Sequence, residues 1–169
     1  LAQAEDAESR FPVLNLSREM TTDTGGAGRW RGQPGTRNIK QVLEPTTAVA
    51  WMVSKKHPLR GLRGGNDGGP YSNFFEFGSD NEYEIENSIQ AQLPADAVIA
   101  YQYGGGAGFE DALLRDPEAV REDVLDEYVS VPAARDLYGV VLRGSVENFD
   151  IEVDVEATRL LREELYAGR

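Results

Sequence analysis

Between Tyr103 and Phe109 the chain reads YGGGAGF, so four glycines occupy the five positions from Gly104 to Gly108. A backbone without Cβ atoms can turn sharply or approach another surface more closely than any other residue allows. Whatever fold forms must bring something close to this corner. The pattern then changes abruptly. Asp116 is placed to cap a helix, Pro117 suits its first position, and Glu118 favours the positive end of the helix dipole. Val120, Val124 and Leu125 follow at helical spacing. Ser130 restarts the pattern as a second N-cap before Val131, Pro132, Ala133 and Ala134, and Gly139 stands where a helix-ending glycine belongs. The spacing predicts two short helices meeting at Tyr128 to Ser130, followed by a brief β-prone run at Val140 to Leu142.

Upstream of the corner the signals are those of strands. Leu1 to Arg10 lacks periodicity and reads as a loose lead-in, and Phe11 to Met20 reads as a strand that starts after Pro12. Thr36 to Leu43 and Thr47 to Val53 are further strands divided by Glu44 and Pro45. The run TAVAWMV in the second is continuously apolar, which predicts burial on both faces. Phe74 to Phe77 and Tyr83 to Ile85 flank a polar turn and form a predicted hairpin. Ala97 to Tyr103 then delivers the chain to the glycine corner. At the other end, Asp154 to Tyr166 is a helix with Asp154 as cap, Leu160, Leu161 and Leu165 as an apolar stripe, and an Arg159–Glu163 pair. Strands first and helices last give an α+β expectation: an antiparallel or mixed sheet, the glycine corner, and a helical C-terminal segment. The division falls between a β-rich part, 1–103, and the corner with its helices, 104–169, both within one domain.

Composition narrows the function classes. The 169 residues carry a net charge of −12, from 29 acidic and 17 basic side chains, which argues against a nucleic-acid partner. There are no cysteines, hence neither a disulfide framework nor a thiolate metal site. No apolar run is long enough to span a membrane, and no secretory leader is recognisable, so the expected location is cytoplasmic. The chain begins at Leu1 rather than Met, which reads as a processed or cut start.

Two further stretches invite a chemical reading. The sequence DTGGAGRWRGQPG from Asp23 to Gly35 contains Gly25, Gly26 and Gly28. A dinucleotide fingerprint needs glycine where Arg31 stands, and a triphosphate-binding loop needs a Gly-Lys pair that this chain lacks. A tight connection with Trp30 packed on the sheet, and with Arg29 and Arg31 solvated or paired, is the better reading. Lys55, Lys56, His57, Arg60 and Arg63 form the one basic patch, a candidate contact for an anion or a partner protein. His57 has no companion ligands at metal-binding spacing, so no metal site is nominated. The carboxylates are scattered, and no catalytic pair can be named.

Three blocks together resemble the hydantoinase B family, the B-type subunits of ATP-dependent hydantoinases, oxoprolinases and ketone carboxylases. The first is Asp23, Thr24, Gly25, Gly26, Ala27, Gly28, Arg31 and Gly32. The second is Pro58, Gly61, Gly64 and Gly65. The third runs from Gly104 to Gly108 through Phe109, Asp111, Leu113, Arg115, Asp116, Pro117 and Glu118 to Val129, Ser130, Ala133, Ala134, Tyr138, Gly139, Val140 and Val141. It departs from the family at Glu110, where glycine is usual, and at Ala112, where proline is usual. The resemblance covers only a minor, C-terminal part of the family's full-length chains. It implies a small, noncatalytic piece of a B-type subunit whose glycine loops close against larger A-type and B-type partners. ATP with Mg, and a further metal, would belong to those partners, with no cofactor in this chain. The implied activity is an ATP-dependent amidohydrolase for cyclic amides such as hydantoin or oxoproline. A ketone carboxylase of the acetone or acetophenone type, or an independent binding or assembly module, are the alternatives.

Overall fold

The computed structural model describes residues 4–51 and 55–168. Its architecture is α+β. The main sheet has five strands in the order β1 (Val13–Thr21), β2 (Gly35–Val42), β7 (Val98–Gln102), β4 (Ser72–Phe75) and β5 (Tyr83–Glu84). A second sheet pairs β3 (Thr46–Ala50) with β6 (Ile89–Leu93), and a third pairs β8 (Leu142–Arg143) with β9 (Glu152–Val153). Every strand pairing among the described residues is antiparallel. β4 and β5 form the hairpin expected from the two aromatic runs.

The β3–β6 pair covers one face of the main sheet. Val42, Phe75 and Ile99 meet Ala50 and Leu93 there, with Ile85 and Ala97 completing the buried cluster. Each large apolar side chain buried in this way stabilises the fold by about 1.5–3 kcal/mol. The continuous apolar run of β3 does not lie between two layers, however. β3 pairs with β6 alone and exposes its outer face, so Val49 is 53% exposed. Met52 to Ser54, the end of that predicted strand and the residue after it, lie outside the described residues.

The lead-in contains a helix, α1 (Ala4–Arg10). Seven residues make a marginal helix on their own, and a tertiary contact holds it. The Glu8 carboxylate accepts from the Asn15 backbone N–H at 2.8 Å and from its side-chain amide at 2.9 Å, while Ala7 is buried. That anchor sits outside the helix itself, where local periodicity gives no sign of it.

The helical half follows its capping signals. Asp116 accepts from the Glu118 N–H at the start of α2 (Pro117–Leu125), and Ser130 accepts from the Ala133 N–H at the start of α3 (Val131–Asp136). Gly139 adopts φ +61°, the left-handed conformation that ends a helix most readily with glycine. Val120, Val124, Val129, Ala134, Tyr138 and Val140 close a second core around Ala27 of the first glycine segment. Burial pushes the Tyr138 phenol up to about 12. α4 (Val155–Ala167) is capped by Asp154 and docks through Arg162, whose guanidinium donates to the Tyr138 and Arg115 carbonyls at 3.1 and 2.7 Å. Leu161 and Leu165 are half-buried, whereas Leu160 of the predicted stripe points outward and is 52% exposed. Among the described residues no helix is long and apolar enough to cross a membrane.

Candidate functional site

Three glycine-bearing segments, 24–28, 65–69 and 104–108, pack backbone against backbone. The Gly26 N–H donates to the Gly106 carbonyl at 2.8 Å, Gly108 to Asn66 at 2.9 Å, Asn66 to Ala27 at 2.7 Å, and Gly69 to Thr24 at 2.7 Å. A Cβ at Gly105 would lie 1.8 Å from the Thr24 carbonyl oxygen, and one at Gly108 would lie 2.1 Å from that of Ala27. Gly25, Gly26, Gly28, Gly104, Gly105, Gly106 and Gly108 all lack the positive φ values seen at Gly64 and Gly139. Proximity, rather than turn geometry, is why glycine is needed at these positions. The loops close against one another.

Polar clamps fix this weave to the helices. Asp123, 6% exposed on α2, sits between two arginines: Arg31 reaches one carboxylate oxygen at 3.0 Å and Arg115 the other at 2.8 Å. Arg31 also lies over the Tyr128 ring at 5.0 Å, and Arg115 donates to the Arg29 carbonyl. Asp23, itself at φ +60°, accepts from the Ser130 N–H and so ties the first glycine segment to the junction of α2 and α3. Trp30 is held by its backbone, which exchanges hydrogen bonds with Phe109 at 3.1 and 3.0 Å, while the residue is 63% exposed instead of packed on the sheet.

The basic patch is dispersed. Lys55 pairs with Glu84 at 2.8 Å and Glu86 at 3.0 Å, and its hydrogen bond to Glu84 holds the ammonium pKa above its ordinary value. Arg63 lies over the Phe109 ring at 5.4 Å. Lys56, His57 and Arg60 are exposed. None of the five lines the groove described next. Among the described residues no group of three or more His, Asp and Glu side chains is placed to hold a metal ion.

A different set of residues converges where the two sheets part. Arg18 on β1 is opposite Asn38 on β2, Asn38 is opposite Tyr101 on β7, and Tyr101 is opposite Asn73 on β4. Residues in register share a sheet face, so these four form one polar row across four strands. Two adjoining cavities of about 380 and 510 Å³ lie over the row and share Val49, Tyr101 and Tyr103. Asn38 and Asn73 are 6% and 4% exposed. Tyr71 and Tyr103 stack edge to face with centroids 5.4 Å apart. Burial raises the phenol pKa of both Tyr101 and Tyr103, so both hydroxyls are donors at neutral pH. Strand alternation could have put Asn38 and Tyr101 on inward positions, but their adjacency is a matter of register between strands 63 residues apart in the pairing Asn38↔Tyr101.

Comparison with known proteins decides the family. The model for hydantoinase B/oxoprolinase matches residues 1–112. The chain belongs to the hydantoinase B/oxoprolinase family. It is 32% identical over 145 residues to the beta subunit of caprolactamase from Pseudomonas jessenii, covering 82% of this chain and 25% of that protein. It is 30% identical over 164 residues to the B-type subunit of a putative D-/L-hydantoinase from Pseudomonas sp. NS671, covering 94% and 26%. The chain therefore spans about a quarter of the length of the curated relatives it matches. Among solved structures, ATP-dependent caprolactamase from Pseudomonas jessenii superposes with a TM-score of 0.77 at 30% identity, covering 96% of this chain and 28% of that one. Nucleotide-free acetone carboxylase superposes with a TM-score of 0.84 at 22% identity, covering 99% and 26%, which establishes the shared fold.

Within the hydantoinase B/oxoprolinase family, the departure at Glu110 gains a physical meaning. Glu110 sits at φ +61°, the left-handed region that glycine enters freely and glutamate enters at a cost. Two contacts hold it there. Its N–H donates to the Leu62 carbonyl at 2.9 Å, and its carboxylate pairs with Arg29 at 3.2 Å.

Proposed function

We propose that this chain is a noncatalytic part of a B-type subunit in an ATP-dependent amidohydrolase acting on cyclic amides. The observation that carries this reading is the 30% identity and 0.77 TM-score shared with ATP-dependent caprolactamase, a ring-amide hydrolase, over 96% of the chain. The glycine weave and its ionic clamps would supply a rigid body, one domain across both the β-rich and the helical parts. Its exposed edge, with Leu14, Leu16 and Met20 on β1, would pack on the remainder of the enzyme. ATP and Mg would be handled by an A-type partner in the cytoplasm.

The test is reconstitution. Co-expression with A-type and large B-type subunits should yield a complex whose ATP hydrolysis depends on a lactam, hydantoin or oxoproline, and which is inactive when this chain is omitted. Stimulation by acetone plus bicarbonate in place of the ring amides would instead establish a carboxylase. A chain that purifies as a lone, stable monomer and never associates with larger subunits would be an independent module, and the proposal would fall.

A further inference from the structure

Trp30 and Leu62 are 63% and 62% exposed, although both adjoin the closely packed glycine segments. Phe109 lies between them. It pairs antiparallel with Trp30 and parallel with Leu62: the Leu62 N–H donates to the Gly108 carbonyl at 3.0 Å, and the Glu110 N–H donates to the Leu62 carbonyl at 2.9 Å. Residues paired in register project to one side, so three apolar side chains from distant segments form a single row. Cations edge it. Arg29 lies over the Trp30 ring at 6.0 Å and Arg63 over the Phe109 ring at 5.4 Å. Arg29 is paired with Glu110, whereas among the described residues the exposed Arg60 and Arg63, on either side of Leu62 in the chain, make no ion pair. The neighbouring carboxylates Asp67 and Asp111 already accept from the Gly61 and Leu113 N–H groups, at 2.8 and 3.0 Å. A chain of net charge −12 thus carries an apolar row with a cationic rim.

We infer that this row is the docking face for the larger remainder of the B-type subunit, which meets it with an apolar pocket edged by carboxylates. The inference rests on the reading of this chain as part of such a subunit. Trp30 and Leu62 enter the pocket, and Arg60 and Arg63 face the carboxylates. Exposed apolar patches with a polar rim mark interaction surfaces, and tryptophan and arginine are the residues that most often carry binding energy there. The row is also rigid: a Cβ at Gly28 would lie 2.6 Å from the Phe109 nitrogen, so the backbone has little freedom left to lose on docking. The occupant follows from charge and length. The chain spans about a quarter of its curated relatives, so most of a B-type subunit lies outside it. A second copy is the poorer occupant, because two chains of net charge −12 repel each other.

Binding kinetics between the purified chain and the larger B-type subunit test this. Trp30→Ala should weaken the affinity roughly thirtyfold, the scale of truncating a central interface tryptophan. Because Trp30 is held by its backbone and its side chain is exposed, the variant should keep the parent's melting temperature. Reversing the rim with Arg60→Glu and Arg63→Glu should slow association roughly tenfold in dilute buffer, with the difference shrinking as salt is added. If the unaltered chain binds the larger subunit and both variants bind it equally well, the inference falls while the reading of the chain as a subunit part stands. If the unaltered chain does not bind at all, that reading falls and takes the inference with it. A Trp30→Ala substitution that abolishes binding to an A-type subunit alone, or that turns a self-associated chain into a monomer, would overturn the choice of occupant.

Discussion

The sheet sandwich and the glycine weave are built on opposite principles. In the sandwich, Phe75, Val42 and Ile99 fill space between layers, and stability resides in side chains. In the weave, three segments approach so closely that no side chain fits at glycines such as Gly105 and Gly108, and stability resides in backbone hydrogen bonds such as Gly26 to Gly106 and Gly108 to Asn66. The difference teaches that the same methyl group has opposite effects in the two regions. Removing carbon harms the first, and adding carbon harms the second.

Four substitutions test that contrast, beginning with the most damaging. Gly105→Ala places a Cβ 1.8 Å from a backbone oxygen that cannot rotate away, so the expected loss exceeds about 3 kcal/mol, enough to remove a cooperative thermal transition. A variant that melts like the parent would show the weave to be plastic, and the contrast would break. Phe75→Ala leaves a cavity in the sandwich and should cost about 3–5 kcal/mol by urea unfolding, with the m-value unchanged. Asp123→Ala leaves Arg31 and Arg115 facing each other without their shared carboxylate, for an expected loss of about 3 kcal/mol. Restoration by a nonpolar triple replacement of similar volume would indicate that the clamp specifies the weave more than it stabilises it.

The smallest effect has the reverse sign. Glu110→Gly relieves a left-handed φ at the edge of the weave and should raise stability by roughly 1 kcal/mol, less the small contribution of the exposed Arg29 pair. A rise in the melting temperature with the fold unchanged would sharpen the comparison, since glycine would then stabilise one position for its φ and Gly105 for its proximity.

Sequence was most informative where structure is local. Asp116 before Pro117, Ser130 before Val131, Asp154 before Val155 and Gly139 after Tyr138 each act through neighbours within a few residues, and each appears in the structure as read. Sequence was least informative where burial depends on a distant partner. The apolar run from Thr47 could not reveal that its second face meets no layer, and Leu1 to Arg10 could not reveal the Asn15 amide that holds a helix there. The basic patch was visible as charge, but Lys55 found Glu84 and Arg63 found Phe109, both through folding.

By itself, then, the sequence determined the strands of the main sheet and the capped helices α2, α3 and α4, though not α1, β6 or β9, together with the acidic charge, the need for close backbone approach near Gly104 to Gly108, and the family. Tertiary structure alone decided what approaches those glycines, namely segments 24–28 and 65–69, and which polar residues stand in line across β1, β2, β7 and β4. The physical reason is range. Caps and periodicity act within one or two turns of chain, whereas register and backbone packing are set by residues as far apart as Arg31 and Asp123, separated by 92 positions.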